Sequence, residues 1–271
     1  MEFKEKQFDG PYEVAEVKIN NEDEIFRGML YFPPESFIKP HSLIIYLHGF
    51  PQLFTLKEIV RTYQYLLDMG YAFMVFNFRG YRYSEGKVSL EAYVSDTLQV
   101  IEFVEKMAGH NIFDLNNVNI LAHDLGGYIA LILCSQVKII NKLVLLSPII
   151  DLKRHIESED FPKVLHYINR FLPGNVRFPT NDINEFIRMT KNELSMENFQ
   201  IERIIQKLQI KKLKVILGEV DKVTPTTELH NIIQKAIIIP EIAIISCMDH
   251  ECAEDEEIER VTKEIVDFFK I

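Results

Sequence analysis

Residues 119–133 read NILAHDLGGYIALIL. An apolar run from Val118 to Ala122 stops at a His-Asp pair, two glycines follow after Leu125, and a further apolar run continues at helical length. A strand, a sharp turn and a helix are therefore expected in direct succession, with Asp124 at the tip of the turn. A residue at such a tip needs positive φ, which Asp tolerates better than most residues. Gly126 and Gly127 allow the strand and the helix to approach closely. The plain alternative is that Asp124 is only the N-cap of the helix that starts near Leu125.

Outward from this stretch, short and almost wholly apolar runs recur at 43–47, 72–78, 118–122, 142–146, 213–217 and 242–246. Strands that are apolar on both faces belong to parallel sheets covered by helices. Helical patterns lie between them at 56–69, 89–107, 126–137, 226–235 and 256–269. This alternation predicts an α/β fold with helices on both faces of the sheet. At the N-terminus, 12–19 and 24–32 flank the polar turn Asn20-Asn21-Glu22-Asp23 and read as an antiparallel hairpin, which brings the expected sheet to eight strands. About sixty residues, 150–210, then separate two core strands, too long for a structureless loop. They hold the helical pieces FPKVLHYINRFL and DINEFIRMTKNEL. The expected organisation is a core of 1–149 and 211–271 with a small helical cap inserted at 150–210. In the first piece Phe161, Val164, Leu165, Ile168, Phe171 and Leu172 recur at helical spacing and are expected on one face. Tyr167 sits between them, with two readings: it faces solvent, or it turns toward Asp124 and donates a hydrogen bond to a bound substrate.

Composition narrows the function. The 271 residues are 47% hydrophobic, enough for one large core. A net charge of −10 argues against a nucleic-acid partner or an anionic membrane. No stretch reaches the roughly 18 uncharged apolar residues of a membrane helix. The opening MEFKEKQFDG has no apolar core of the signal-peptide kind. Three cysteines without a Cys-x-x-Cys pair point to a reducing, cytoplasmic compartment. No His, Asp or Glu spacing matches a metal site. The expected partner is a small-molecule substrate, with no cofactor, and the sequence sets no oligomeric state.

Ligands of open α/β sheets meet the ends of strands. There the chain has HGFPQ (48–52), RGYRYSEG (79–86), His123-Asp124, GEVDKVTP (218–225) and CMDHE (247–251). Asp124, Asp221 and His250 thus follow in the order nucleophile, acid, base. With these five motifs in register, the chain resembles the α/β-hydrolase superfamily over nearly its whole length. That resemblance implies Asp124 as nucleophile, His250 as base, Asp221 as the group that orients it, and the N–H groups of Phe50 and Leu125 as the oxyanion hole. The plain alternatives are a loop role for His250 and a turn-holding role for Asp221 before Thr224-Pro225. Of the other histidines, His48 is expected to brace the oxyanion loop and His123 to pack beneath the turn. His155, His166 and His230 are expected to be exposed.

The usual residue at the tip is Ser, and Asp changes the chemistry. A carboxylate, with a reference pKa near 3.9, is charged without help from a base. Within the superfamily an Asp there resembles the epoxide hydrolases and the dehalogenases. This chain departs from both. It has no Trp, which haloalkane dehalogenases use to hold halide, and Leu125 stands where fluoroacetate dehalogenases have Arg. Epoxide hydrolases use two cap tyrosines. The insert holds Tyr167 alone, with Tyr81, Tyr83 or Tyr128 as substitutes from the core. The Ser-Glu-Gly after the Arg-Gly stretch, the Met-Asp-His around the last His, the hairpin and the short cap resemble esterases and peptidases. A second reading therefore stands beside the first: a serine-esterase scaffold whose Ser has become Asp, weakly active or a binding protein.

Overall fold

The computed structural model describes residues 7–270; Met1–Lys6 of the opening stretch read above, and Ile271, lie outside them. Nine strands form one sheet: β1 (Gln7–Asp9), β2 (Tyr12–Asn21), β3 (Glu24–Tyr31), β4 (His41–Leu47), β5 (Tyr71–Asn77), β6 (Phe113–His123), β7 (Ile140–Leu146), β8 (Lys212–Gly218) and β9 (Glu241–Ile245). Their order is β1-β2-β3-β5-β4-β6-β7-β8-β9. The expected hairpin is β2–β3, with Val17 opposite Gly28, and β3 also runs antiparallel to β5. The pairs β4–β5, β7–β8 and β8–β9 are parallel. The ninth strand, beyond the eight expected, is β1. Its three residues, Gln-Phe-Asp, carry no apolar pattern and become a strand by pairing with β2, Gln7 opposite Val14.

The helices are α1 (Leu56–Thr62), α2 (Tyr65–Asp68), α3 (Leu90–Gly109), α4 (Leu125–Gln136), α5 (Leu152–Glu157), α6 (Asp160–Phe171), α7 (Ile183–Leu194), α8 (Ile201–Ile204), α9 (Thr226–Ile233) and α10 (Asp255–Phe269). The pattern over 56–69 is two short helices, interrupted at Tyr63-Gln64 without a Pro or Gly. No helix among the described residues is long and apolar enough to cross a membrane.

The described chain divides into two compact units. One holds the residues up to Tyr46 with Pro51–Asn119 and Lys163–Phe186. All seven residues of its β5 are buried, as a strand covered on both faces requires. Its α3 starts at Ser89, whose hydroxyl accepts the Ala92 N–H at 3.0 Å. The other unit holds Leu47–Phe50, Ile120–Pro162 and the described residues from Ile187 onward. Its α4 is buried from Leu125 through Cys134, apolar on all sides as a core helix is. That burial anchors the turn in front of it, since displacing α4 would expose several large aliphatic side chains at roughly 1.5–3 kcal/mol each.

Along α6 the expected apolar face is only partly buried. Phe161, Leu165 and Ile168 are buried, while Val164 and Phe171 are exposed. The positions three and four apart cover more of the helix than its packed stripe.

Candidate active site

β6 ends at His123, α4 begins at Leu125, and Asp124 alone makes the turn, at φ 53° and ψ −123°. This conformation is costly for a residue with a Cβ and persists only where surrounding structure holds it. The Asp124 N–H donates to the Leu146 carbonyl at 3.2 Å, and its own carbonyl accepts from Gly127 at 3.0 Å and Ile149 at 3.2 Å. A Cβ at Gly126 would run into the Leu47 carbonyl, and one at Gly49 into the Asp124 carboxylate. Small residues therefore bring the loop after β4 against the turn.

The Asp124 side chain does not cap α4. Its Oδ2 accepts the Phe50 N–H at 2.7 Å, and its Oδ1 lies 3.4 Å from His250 Nε2. The other face of that imidazole, Nδ1, is 2.9 Å from Asp221 Oδ2. Asp221 Oδ1 accepts the N–H groups of Val223 and Thr224, each at 2.8 Å. Asp221 thus holds its turn with one oxygen and meets His250 with the other. Loops after β6, β8 and β9, with β7 lying between the first two strands, deliver these three side chains to one place.

The charges follow from this packing. Burial pushes the Asp124 carboxyl upward, but the His250 hydrogen bond and charge, with His123 and the Phe50 N–H, outweigh it and hold Asp124 below the usual carboxylate range. Burial likewise works against a charged His250, yet its bonds to Asp124 and Asp221 prevail and raise it to about 10. Both directions favour an ion pair between Asp124 and His250.

Of the remaining predicted residues, Leu125 opens α4 directly after Asp124. His48 is buried, with Nδ1 2.8 Å from the Gly49 carbonyl, inside the loop that carries Phe50. His123, expected to pack beneath the turn, has its ring 6.2 Å from that of His250. Tyr167 is 54% exposed and lies 5.0 Å from the Phe171 ring. Tyr83 is exposed, and the Tyr128 hydroxyl donates to the Phe199 carbonyl. His166 and His230 are exposed, as expected.

His155 is not exposed, contrary to expectation. It is half-buried on α5 and meets the Phe161 ring edge-on at 5.3 Å. Phe161 in turn lies 6.2 Å from the ring of Phe50, and the charges of Asp124 and His250 both act on His155. The available signal was position: α5 is the first helix after β7, the strand whose last carbonyl binds the Asp124 N–H.

Fold and site together define a member of the α/β-hydrolase class. The chain belongs to the α/β-hydrolase fold family, whose model matches residues 42–182. Among curated proteins it is similar to the lysophosphatidylserine lipase ABHD12 of Danio rerio, 29% identical over 144 residues, 52% of this chain and 35% of that protein. The Mus musculus protein of the same name is 28% identical over 135 residues, 48% of this chain and 33% of its own length. The chain therefore matches about a third of the length of these relatives. Among solved structures, the α/β hydrolase GrgF from Penicillium sp. sh18 has a TM-score of 0.71 at 16% identity, covering 95% of this chain and 98% of that one. Est1E from Butyrivibrio proteoclasticus has a TM-score of 0.66 at 17% identity, covering 94% and 97%. At such identities the likeness is one of fold.

Proposed function

We propose that this chain is a cofactor-free hydrolase in which Asp124 attacks a small apolar epoxide or a related alkylating substrate. One observation carries the reading: the two oxygens of Asp124 have different settings. Oδ2 already sits on the Phe50 N–H at 2.7 Å, while Oδ1 has only the long 3.4 Å contact to His250. Attack by Oδ1 on a saturated carbon makes an alkyl ester whose carbonyl oxygen, Oδ2, is already hydrogen-bonded. Water then attacks Cγ, and negative charge develops on Oδ2, where the Phe50 and Leu125 N–H groups stabilise it. Such a donor is worth roughly 3–4 kcal/mol. Attack on an ester carbonyl would instead form a mixed anhydride, with nothing gained.

The charges support the same order of events. His250 holds its proton because two carboxylates flank it. Esterification neutralises Asp124, removes one of those carboxylates, and lets His250 become a neutral base in time for the water step. Asp221 keeps the imidazole in the required tautomer. In this proposal residues 150–210 are a helical insertion in the hydrolase core, and the three free cysteines suit a reducing compartment.

The test is to replace His250 by Gln, add styrene oxide and record the intact mass. A stable adduct of one substrate mass on Asp124 is expected, because the water step needs the imidazole. An unchanged mass with styrene oxide and with chloroacetate overturns the proposal.

A second reading is favoured by the relatives, a lysophosphatidylserine lipase among them. Here the scaffold is esterase-derived and Asp124 has ended acyl transfer. Asp124→Ser should then gain hydrolysis of p-nitrophenyl acetate, since His250 and Asp221 remain aligned; a folded variant without that gain counts against it.

A further inference from the structure

We propose that His155 holds the leaving oxygen of the substrate, donating a ring N–H to it while the apolar body of an epoxide lies on Phe50 and Phe161. The inference rests on the Asp-nucleophile reading and deepens it by naming the group opposite the nucleophile.

The geometry runs through one unbroken set of contacts. The Phe50 N–H binds Asp124 Oδ2, the Phe50 ring is 6.2 Å from that of Phe161, and Phe161 is 5.3 Å from His155. His155 thus closes an aromatic wall that starts at the nucleophile. Its helix is fixed in place. The Asp151 carboxylate caps α5 by accepting the Arg154 N–H at 2.9 Å. Arg154 pairs with Glu228 at 2.6 Å and donates to the Val223 carbonyl, and the Val223 N–H in turn binds Asp221. The helix that carries His155 and the loop that carries the catalytic acid are therefore one assembly. Among the described residues no hydrogen bond engages either nitrogen of the His155 ring, so a ring N–H is available to a ligand. Burial, partly offset by Asp124, lowers the His155 pKa, so the ring is a neutral imidazole with one donor and one acceptor nitrogen. Phenols have less to offer here: the Tyr128 hydroxyl is committed to Phe199, and Tyr167 faces out.

Asp124 Oδ1 forms a bond to one epoxide carbon, the ring C–O bond breaks, and its electron pair stays on the oxygen that His155 hydrogen-bonds. Water relays the proton of the His250 imidazolium to this alkoxide, which becomes a hydroxyl and leaves His250 neutral. Hydrolysis of the ester by one further water returns the carboxylate to Asp124 and the proton to His250.

Labelling in the His250→Gln background tests the inference without steady-state turnover. The rate of adduct formation is measured for styrene oxide, whose ring oxygen becomes an alkoxide, and for benzyl bromide, whose leaving group is the stable bromide ion and needs little donor help. Adding His155→Phe should lower the ratio of the two rates about 10–100-fold, the range for a hydrogen bond to a charged group. His155→Gln, which keeps an N–H, should recover part of it. If both substrates slow equally, or neither slows, His155 has no such role and the nucleophile reading stands alone. If neither reagent labels the His250→Gln protein, both readings fall.

Discussion

Two buried carboxylates, Asp124 and Asp96, are held in opposite ways by the same fold. Asp96, on α3, is fully buried and accepts the Arg79 N–H at 2.8 Å, Arg79 Nε at 2.7 Å and the Asn21 amide at 2.9 Å. Arg79 also reaches Glu24 at 3.0 Å. Every donor has ordinary hydrogen-bond length, and the backbone around Asp96 is regular helix. Asp124 is almost as buried, at 6% exposure, yet only one of its oxygens has a short partner and its backbone is strained. Desolvation of a carboxylate is costly in both places. For Asp96 it buys rigidity, and burial even pushes that carboxyl up to about 6 against the pull of Arg79. Asp124 stays charged on the strength of His250 and keeps one oxygen available.

The largest expected effect breaks the comparison from both ends. Asp124→Ala should cut turnover by at least about 10⁴-fold, as removal of a catalytic nucleophile does. Its melting temperature should fall much less than that of the Asp96 variant, because His250 can give up its proton while the backbone bonds of the turn remain. Asp96→Ala should do the reverse, costing about 3–5 kcal/mol by leaving the Arg79 guanidinium uncompensated. In a chain of this length that is a fall on the order of 10 °C, with residual activity in the folded fraction. Thermal melts and single-turnover rates on the two variants check both halves. Equal destabilisation by the two changes would erase the distinction.

A smaller effect lies in the pH dependence of stability. His250 has a folded pKa raised from 6.5 to about 10. A group raised on folding binds more protons in the native state, so its contribution is fully present below 6.5 and is lost as pH climbs through 10. Asp96 is also raised, from 3.8 to about 6, and its contribution disappears within that acid window. Urea midpoints should therefore fall between pH 6.5 and 10 in the native chain. His250→Gln should flatten this arm, while Asp96→Ala should shift the whole curve and leave the alkaline slope intact. An unchanged slope in His250→Gln would mean that the imidazolium is not held by its two carboxylates.

The same contrast explains what could be read from the sequence. Asp124, His250 and Asp221 were legible because each follows an apolar run that can only be a buried strand, and strand ends are where such sheets bind ligands. The Asp96–Arg79–Asn21 cluster left no such trace. Its members are 17 and 75 positions apart, and a polar residue inside an amphipathic helix looks like any solvated one until the partners are in place. His155 was missed for a related reason. A lone His in LKRHIE sits among charges that imply an exposed turn, and only the Phe161 contact, a tertiary feature, gives it a second face. β1 is a strand by partnership alone, and the interruption between α1 and α2 carries no breaker residue, so neither could be drawn from local chemistry.

The smallest expected effect concerns Tyr167, a residue whose sequence position suggested a part in the chemistry. It is 54% exposed, and its ring rests against Phe171, itself 57% exposed, with the Arg170 guanidinium 5.1 Å from the Phe171 ring. A surface aromatic stack of this kind owes little to the phenol oxygen, which is hydrated in the folded and unfolded chain alike. Tyr167→Phe should therefore keep stability within about 0.5 kcal/mol. Its rate of labelling by styrene oxide in the His250→Gln background should change less than about twofold, far below the 10²–10⁴-fold that a general acid supplies. A loss of that larger size would return the leaving-group role to the phenol.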